Sequence, residues 1–169
     1  GGGRKTLENS RKGNFPNTSI PGESISVESE LKRILGEFNG NIVEPLTLPI
    51  EVECKRVRRE FGHSASVTLS FSRDVSAHEV TTTWSEFQTS VEKIDLPSGM
   101  KSPIFFVSDV FNALDKSIES ENNFLLDSME VYIGNIRVSG NVASFDVISV
   151  KKVLGSDGNS VLFYEMMLA

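Results

Sequence analysis

The sequence predicts an α+β domain in which a mixed or antiparallel sheet is covered on one face by helices. Three observations predict it. Segments with two-residue apolar alternation come in pairs, at about 49–72 and 129–150. Segments with helical spacing fall before, between and after those pairs. The boundaries carry capping or turn chemistry. No internal repeat is present.

Taken in order, residues 1–25 are rich in Gly, Asn, Ser, Pro and basic side chains and read as loop or tail. Residues 26–169 read as the domain, with an irregular insert at about 93–127. Ser26 is the expected N-cap of the first helix, with Glu28 and Glu30 in its first turn. Val27, Leu31, Ile34, Leu35 and Phe38 form its apolar stripe, and the Gly36 and Gly40 region ends it. Strands follow at about 49–60 and 63–72. Ser76-Ala-His-Glu79 predicts a capping box, opening a helix with the stripe Val80, Trp84, Phe87 and Val91. His78 in its first turn is expected to be exposed.

Asp95-Leu-Pro-Ser-Gly99 reads as a turn, Ile104 to Val107 as a short strand and 109–120 as a helix. Met129–Val138 and Val142–Val150 are strands joined by the tight turn Ser139-Gly-Asn141. A last helix is expected over about 157–168, behind Gly155-Ser-Asp-Gly-Asn159.

Bulk properties exclude several function classes. The chain has 169 residues and a formal charge of −6, and its Lys-Arg cluster at 55–59 is broken by Val57 and followed by Glu60. That is a poor phosphate track, so no nucleic-acid partner is expected. The single cysteine, Cys54, rules out an internal disulfide and a Cys-rich zinc site, and the two histidines are too far apart to suggest another metal centre. No apolar run approaches the roughly 20 residues that span a bilayer, and no signal-peptide core is visible. The expectation is a cytoplasmic protein without a membrane partner.

The most informative pair is Arg56 and His63, seven positions apart. Ile50, Val52 and Cys54 share the parity of Arg56; Ala65, Val67, Leu69 and Phe71 share that of His63. Alternate side chains of a strand point to opposite faces, so both polar groups sit on core-facing positions. Gly62 or its neighbours must turn or bulge the chain between them. Two readings stay open: a shared pocket, or an edge arginine and a hydrogen-bonded core histidine. Other motifs are absent. Neither Gly1-Gly-Gly3 nor Gly155-Ser-Asp-Gly158 has dinucleotide-fingerprint spacing and context, and there is no P-loop or nucleophile elbow. Cys54, flanked by Val52 on an apolar face, reads as a buried structural thiol.

Several segments nonetheless resemble the C-terminal half of aspartate-semialdehyde dehydrogenases. Glu30-Leu-Lys-Arg-Ile-Leu-Gly36 resembles that family's Glu-Thr-Lys-Lys-Ile-Leu-Gly helix. Glu53-Cys-Lys-Arg-Val57 is similar to its Thr-Cys-Val-Arg-Val strand, and His63-Ser-Ala-Ser-Val-Thr-Leu69 to its His-Ser segment and following strand. Ile133-Gly-Asn-Ile-Arg137 resembles Val-Gly-Arg-Ile-Arg. Gly155-Ser-Asp-Gly-Asn-Ser-Val161, with Glu165 in register, resembles the closing Gly-Ala-Ala-Thr-Asn-Ala-Val helix. The likeness spans roughly residues 22–75 and 127–169.

This resemblance implies the fold of the C-terminal domain of glyceraldehyde-3-phosphate-dehydrogenase-like enzymes. It implies that Arg56 holds a substrate carboxylate, that His63 is the general acid/base, and that Glu23 meets the substrate amino group. Gly155 matches the glycine of a segment that approaches the cofactor. The whole enzyme would be an NADPH-dependent oxidoreductase of amino-acid biosynthesis, reducing an acyl phosphate to a semialdehyde, and this half would form a homodimer. The departures are specific. Cys54 matches a structural cysteine, not the nucleophile; the substrate-phosphate lysine falls at Ser26; Leu154 precedes Gly155; Leu162 replaces a glutamine; Phe61 replaces a second arginine. The chain alone is therefore expected to be inactive and to bind no NADP. The alternatives are a non-catalytic paralogue acting as a dimeric interaction or scaffold domain, and an unrelated α+β binding module.

Overall fold

A computed structural model describes residues 8, 12, 19–56, 62–87, 96–99, 103–108, 110, 129–149, 155 and 157–169. The chain divides into two compact units, Gly1–Glu60 and Phe61–Ala169.

In the first unit, α1 spans Glu23–Ile34. It starts three residues before the expected Ser26 because Pro21-Gly22 supplies the break. Gly22 is the N-cap at φ 77°, and its carbonyl accepts from the Ser26 amide at 3.1 Å. Glu23 in the first turn and Lys32 and Arg33 in the last complement the helix dipole. Lys32 Nζ also donates to Glu28 Oε1 at 2.6 Å, one turn back. The apolar stripe is more open than its spacing implied: Ile34 is 75% and Phe38 69% exposed.

Beyond α1 the chain makes a small hairpin of β1 (Glu37–Phe38) and β2 (Val43–Glu44). Asn39 Oδ1 accepts from the amides of Asn41 and Ile42, each at 3.1 Å, and Gly40 turns at φ 96°. Gly36 is sterically required, since a Cβ there would run into the Glu44 carbonyl oxygen. The expected strand at 49–60 forms no ladder over its described part, 49–56; one isolated antiparallel bridge joins Ser19 to Lys55. Its alternation is kept all the same. Ile50, Val52, Cys54 and Arg56 are half-buried, while Glu51, Glu53 and Lys55 are exposed. Cys54 is thus half-buried rather than fully enclosed.

The second unit is built on a four-stranded mixed sheet in the order β3-β6-β5-β4. The strands are β3 (His63–Ser70), β4 (Ile104–Phe106), β5 (Val131–Ser139) and β6 (Val142–Ser149). β3, β6 and β5 are antiparallel neighbours, and β4 runs parallel to β5. Ser139 pairs with Val142, leaving Gly140-Asn141 as a two-residue turn with Gly140 at φ 58°. The expected helix at 109–120 lies outside the described residues except for Val110, which is helical.

β5 carries a bulge that periodicity did not show. Gly134 pairs with Asp146 and the next pair is Arg137 with Ser144, so Asn135 and Ile136 together face Phe145. Asn135 takes φ 53°, and its Nδ2 donates to Asp146 Oδ2 at 2.8 Å. The bulge reverses side-chain parity, so Ile133 and Val138 lie on one face, opposite Val147 and Ala143. Ile133 and Val138, of opposite parity in the sequence, therefore belong to one face.

Helix α2 (Ala77–Ser85) packs on that face. Its capping box is present: Ser76 Oγ accepts from the Glu79 amide at 3.1 Å, and Glu79 Oε2 accepts from the Ser76 amide at 2.7 Å. Trp84 stacks on Phe106 at 6.1 Å and meets Phe145 edge-on. On the opposite face, Val110, Tyr132 and Ile148 form a buried cluster joined by Phe105 and Val107. Helix α3 (Gly158–Leu168) is tied by Glu165, whose carboxylate accepts from the Ser98 amide at 3.0 Å and the Ser98 hydroxyl at 2.9 Å. Helices, a mixed sheet and an extended segment together make the α+β architecture expected.

Candidate functional site

The first turn of α1 and the segment ending at Arg56 enclose an open cleft of about 480 Å³, lined by Ile20, Pro21, Gly22, Glu23, Ser26 and Arg56. Two of the sequence-predicted residues, Glu23 and Arg56, are thereby brought to one site. Glu23 arrives there because the helix begins at Gly22, and Ser26, three residues on, shares its face. Arg56 arrives because it continues the half-buried face of Ile50, Val52 and Cys54. The cleft thus carries one guanidinium, one carboxylate and one hydroxyl. A planar guanidinium fork suits a carboxylate, and a side-chain carboxylate suits an ammonium group.

Local pattern put Ser26 at the helix cap, and only the resemblance put it at a substrate position; the cleft it lines was not predicted. The missed signal was Pro21-Gly22, a break that puts Glu23 and Ser26 on one face of the first turn. His63 and Gly155 belong to the second unit. His63 is the first residue of β3, exposed and paired with Ser149, directly after Gly62 at φ 78°. Gly62, one of the positions where a turn or bulge was expected, holds a left-handed φ, and residues 57–61 lie outside the described ones. Gly155 is exposed and lies ahead of α3. Among the described residues no three or more His, Cys, Asp or Glu side chains group as metal ligands. No described helix is long and apolar enough to cross a membrane.

No protein-family model matches the chain. A curated relative from Archaeoglobus fulgidus, an aspartate-semialdehyde dehydrogenase, is 28% identical over 150 residues, covering 88% of this chain and 41% of its own length. The chain is similar to aspartate-semialdehyde dehydrogenases. The Aspergillus fumigatus aspartate-semialdehyde dehydrogenase is 29% identical over 156 residues, covering 87% of this chain and 42% of its own. A crystal structure of aspartate semialdehyde dehydrogenase with NADP from Candida albicans superimposes with a TM-score of 0.70 at 24% identity, covering 89% of this chain and 43% of that one. The fold is shared with that enzyme. The chain spans about two fifths of the length of these semialdehyde dehydrogenases and is a divergent partial match to them.

Proposed function

We propose that this chain is the C-terminal catalytic and dimerisation portion of an aspartate-semialdehyde-dehydrogenase-like protein, and that its part in the chemistry is to clamp the substrate. The observation that carries this reading is the placement of Glu23 and Arg56 on one cleft. Arg56 holds the substrate carboxylate, Glu23 meets its amino group, and His63 moves the proton at the reacting carbonyl. In the whole protein the reaction is reduction of an acyl phosphate to a semialdehyde with NADPH, in the amino-acid biosynthesis of the cytoplasm. NADPH would supply the hydride when bound. The residues around Gly155 fit it poorly, since Leu154 stands where the family has a lysine, so no step is assigned to the cofactor here. The chain alone is proposed to be inactive and homodimeric.

Calorimetric titration of the chain with L-aspartate, against N-acetyl-aspartate, tests the clamp. Saturable binding of L-aspartate that Arg56→Ala abolishes supports it. Equal binding of the two ligands, or none of either, removes it.

The second reading is a non-catalytic paralogue that keeps the fold as a dimeric interaction domain. Ser26 at the substrate-phosphate position favours it, because a hydroxyl cannot replace an ammonium as counter-charge. A stable dimer that binds neither L-aspartate nor a semialdehyde would decide for this second reading.

A further inference from the structure

The start of α1 grips the backbone of Cys54 on both sides. The Cys54 amide donates to Ser24 Oγ at 2.9 Å, across thirty residues of sequence. The Cys54 carbonyl accepts from the Ile20 amide at 3.4 Å, a bond that makes the Ser19–Lys55 bridge. No other β-pairing holds the described part of this segment, 49–56. Of these two ties, the Ser24 bond is the one made by a side chain.

That hydroxyl is placed unusually. A serine in the first helical turn commonly serves its own helix, and α1 has no side-chain cap at Gly22. Ser24 instead accepts an amide from outside. Successive helical residues point about 100° apart, so Glu23 and Ser26 line the cleft while Ser24, between them, reaches Cys54. Arg56 stands two residues beyond Cys54 on the same half-buried face. One hydrogen bond thus links the residue after Glu23 to the residue two before Arg56.

We propose that Ser24 is a positioning residue for the substrate clamp. By accepting the Cys54 amide it sets the spacing between the Arg56 guanidinium and the Glu23 carboxylate, and so fits the cleft to a ligand bearing a carboxylate and an ammonium together. This rests on reading the cleft as a substrate clamp. Ser24 itself lies outside the cleft lining and acts through Arg56.

The experiment uses the full 169-residue chain. Ser24→Ala, Ser24→Thr and Asn39→Ala are compared by L-aspartate calorimetry and by ¹⁵N relaxation of the Arg56 Nε–H. Asn39→Ala removes hairpin bonds elsewhere in the same unit and controls for lost stability. Ser24→Ala is expected to weaken L-aspartate about fivefold, the effect of one ordinary hydrogen bond, and to raise Arg56 Nε–H mobility. Ser24→Thr restores both, and Asn39→Ala moves neither. Unchanged Arg56 mobility in Ser24→Ala, or an equal change in Asn39→Ala, overturns the proposal. If the unaltered chain fails to bind L-aspartate, the clamp reading falls, and the Arg56 relaxation still decides the role of Ser24. Should Ser24→Ala not fold, Ser24→Cys, with its weaker acceptor, takes its place in the same measurements.

Discussion

Asn135 Nδ2 donates to Asp146 Oδ2 at 2.8 Å, and Ser66 Oγ donates to the other oxygen of the same carboxylate at 2.7 Å. Three neighbouring strands are thereby tied at the point where β5 bulges. Asn135 holds a left-handed φ of 53°, which asparagine tolerates better than most residues. Asn135→Ala is expected to cost about 1–2 kcal/mol, from the lost bond and the strained φ together. Asn135→Gly should cost less, because glycine relieves the strain. Chemical denaturation checks the order; a glycine variant less stable than the alanine one would mean that the left-handed φ carries too little strain to offset glycine's extra chain entropy.

That bulge also explains where sequence reading stopped. Strand existence at β3, β5 and β6, the tight Gly140-Asn141 turn and the Ser76/Glu79 capping box are all local patterns, and each stands where its residues predicted. A bulge has no fixed signature, so Ile133 and Val138 looked like opposite faces although pairing puts them on one. The β1–β2 hairpin has a local signature in Asn39-Gly40, but Phe38 also continues the helical spacing of Leu31, Ile34 and Leu35, so two patterns overlap there. Of the site, Arg56 was legible from strand parity. Ser26 and Ser24 were not, because their roles depend on the helix starting at Gly22 and on a contact across thirty residues.

Gly134 pairs with Asp146 under Val110 and Val107. A Cβ at Gly134 would strike the Val107 carbonyl oxygen and lie 2.9 Å from Val110 Cγ1. Both are closely held, since the Val107 amide is bonded to the Ile133 carbonyl at 2.9 Å and Val110 is fully buried. Gly134→Ala should therefore destabilise the unit by about 1–3 kcal/mol, as overpacking does. A thermal melt within a degree of the unaltered chain would mean that the Val107–Val110 segment yields freely.

Glu79 has its carboxyl pKa lowered below the ordinary value. The Ser76 backbone amide is the largest cause, followed by the Ser76 hydroxyl and by Arg73, whose Nη1 lies 3.0 Å from Glu79 Oε1. A depressed folded-state pKa means the unfolded chain binds the proton more readily. The group's stabilisation is thus present above its unfolded pKa and is lost as pH falls through the folded value. Glu79→Gln should flatten the acid limb of stability against pH while leaving its neutral-to-alkaline slope alone. An unchanged acid limb would show that the capping carboxylate is not ionised differently in the two states.

Arg56→Lys keeps the charge and discards the fork. If Arg56 grips a carboxylate with two parallel hydrogen bonds, the lysine variant should bind L-aspartate about tenfold more weakly, and far-UV dichroism should not change. Affinity preserved in the lysine variant would reduce Arg56 to a general positive charge at the cleft.

The proposed homodimer would need a sheet face that α2 leaves uncovered. The face bearing Ala65, Val67, Phe145 and Ile133 meets Trp84 of α2 through Phe145. The other face carries the Val110 cluster over Ile148 and, beyond it, presents Ser66, Thr68, Ser70, Ser144 and Asp146. This surface is polar, and a twofold partner would lay the same strip against it, giving an isologous and well-hydrated contact. Sedimentation equilibrium at micromolar concentration should then show a dimer. Thr68→Arg, at an exposed position in the middle of the strip, should shift it to monomer by setting two like charges across the axis, with little change in the melting of the isolated unit. A dimer that survives Thr68→Arg would move the interface off this face, and a monomeric parent chain would leave the strip as solvated surface.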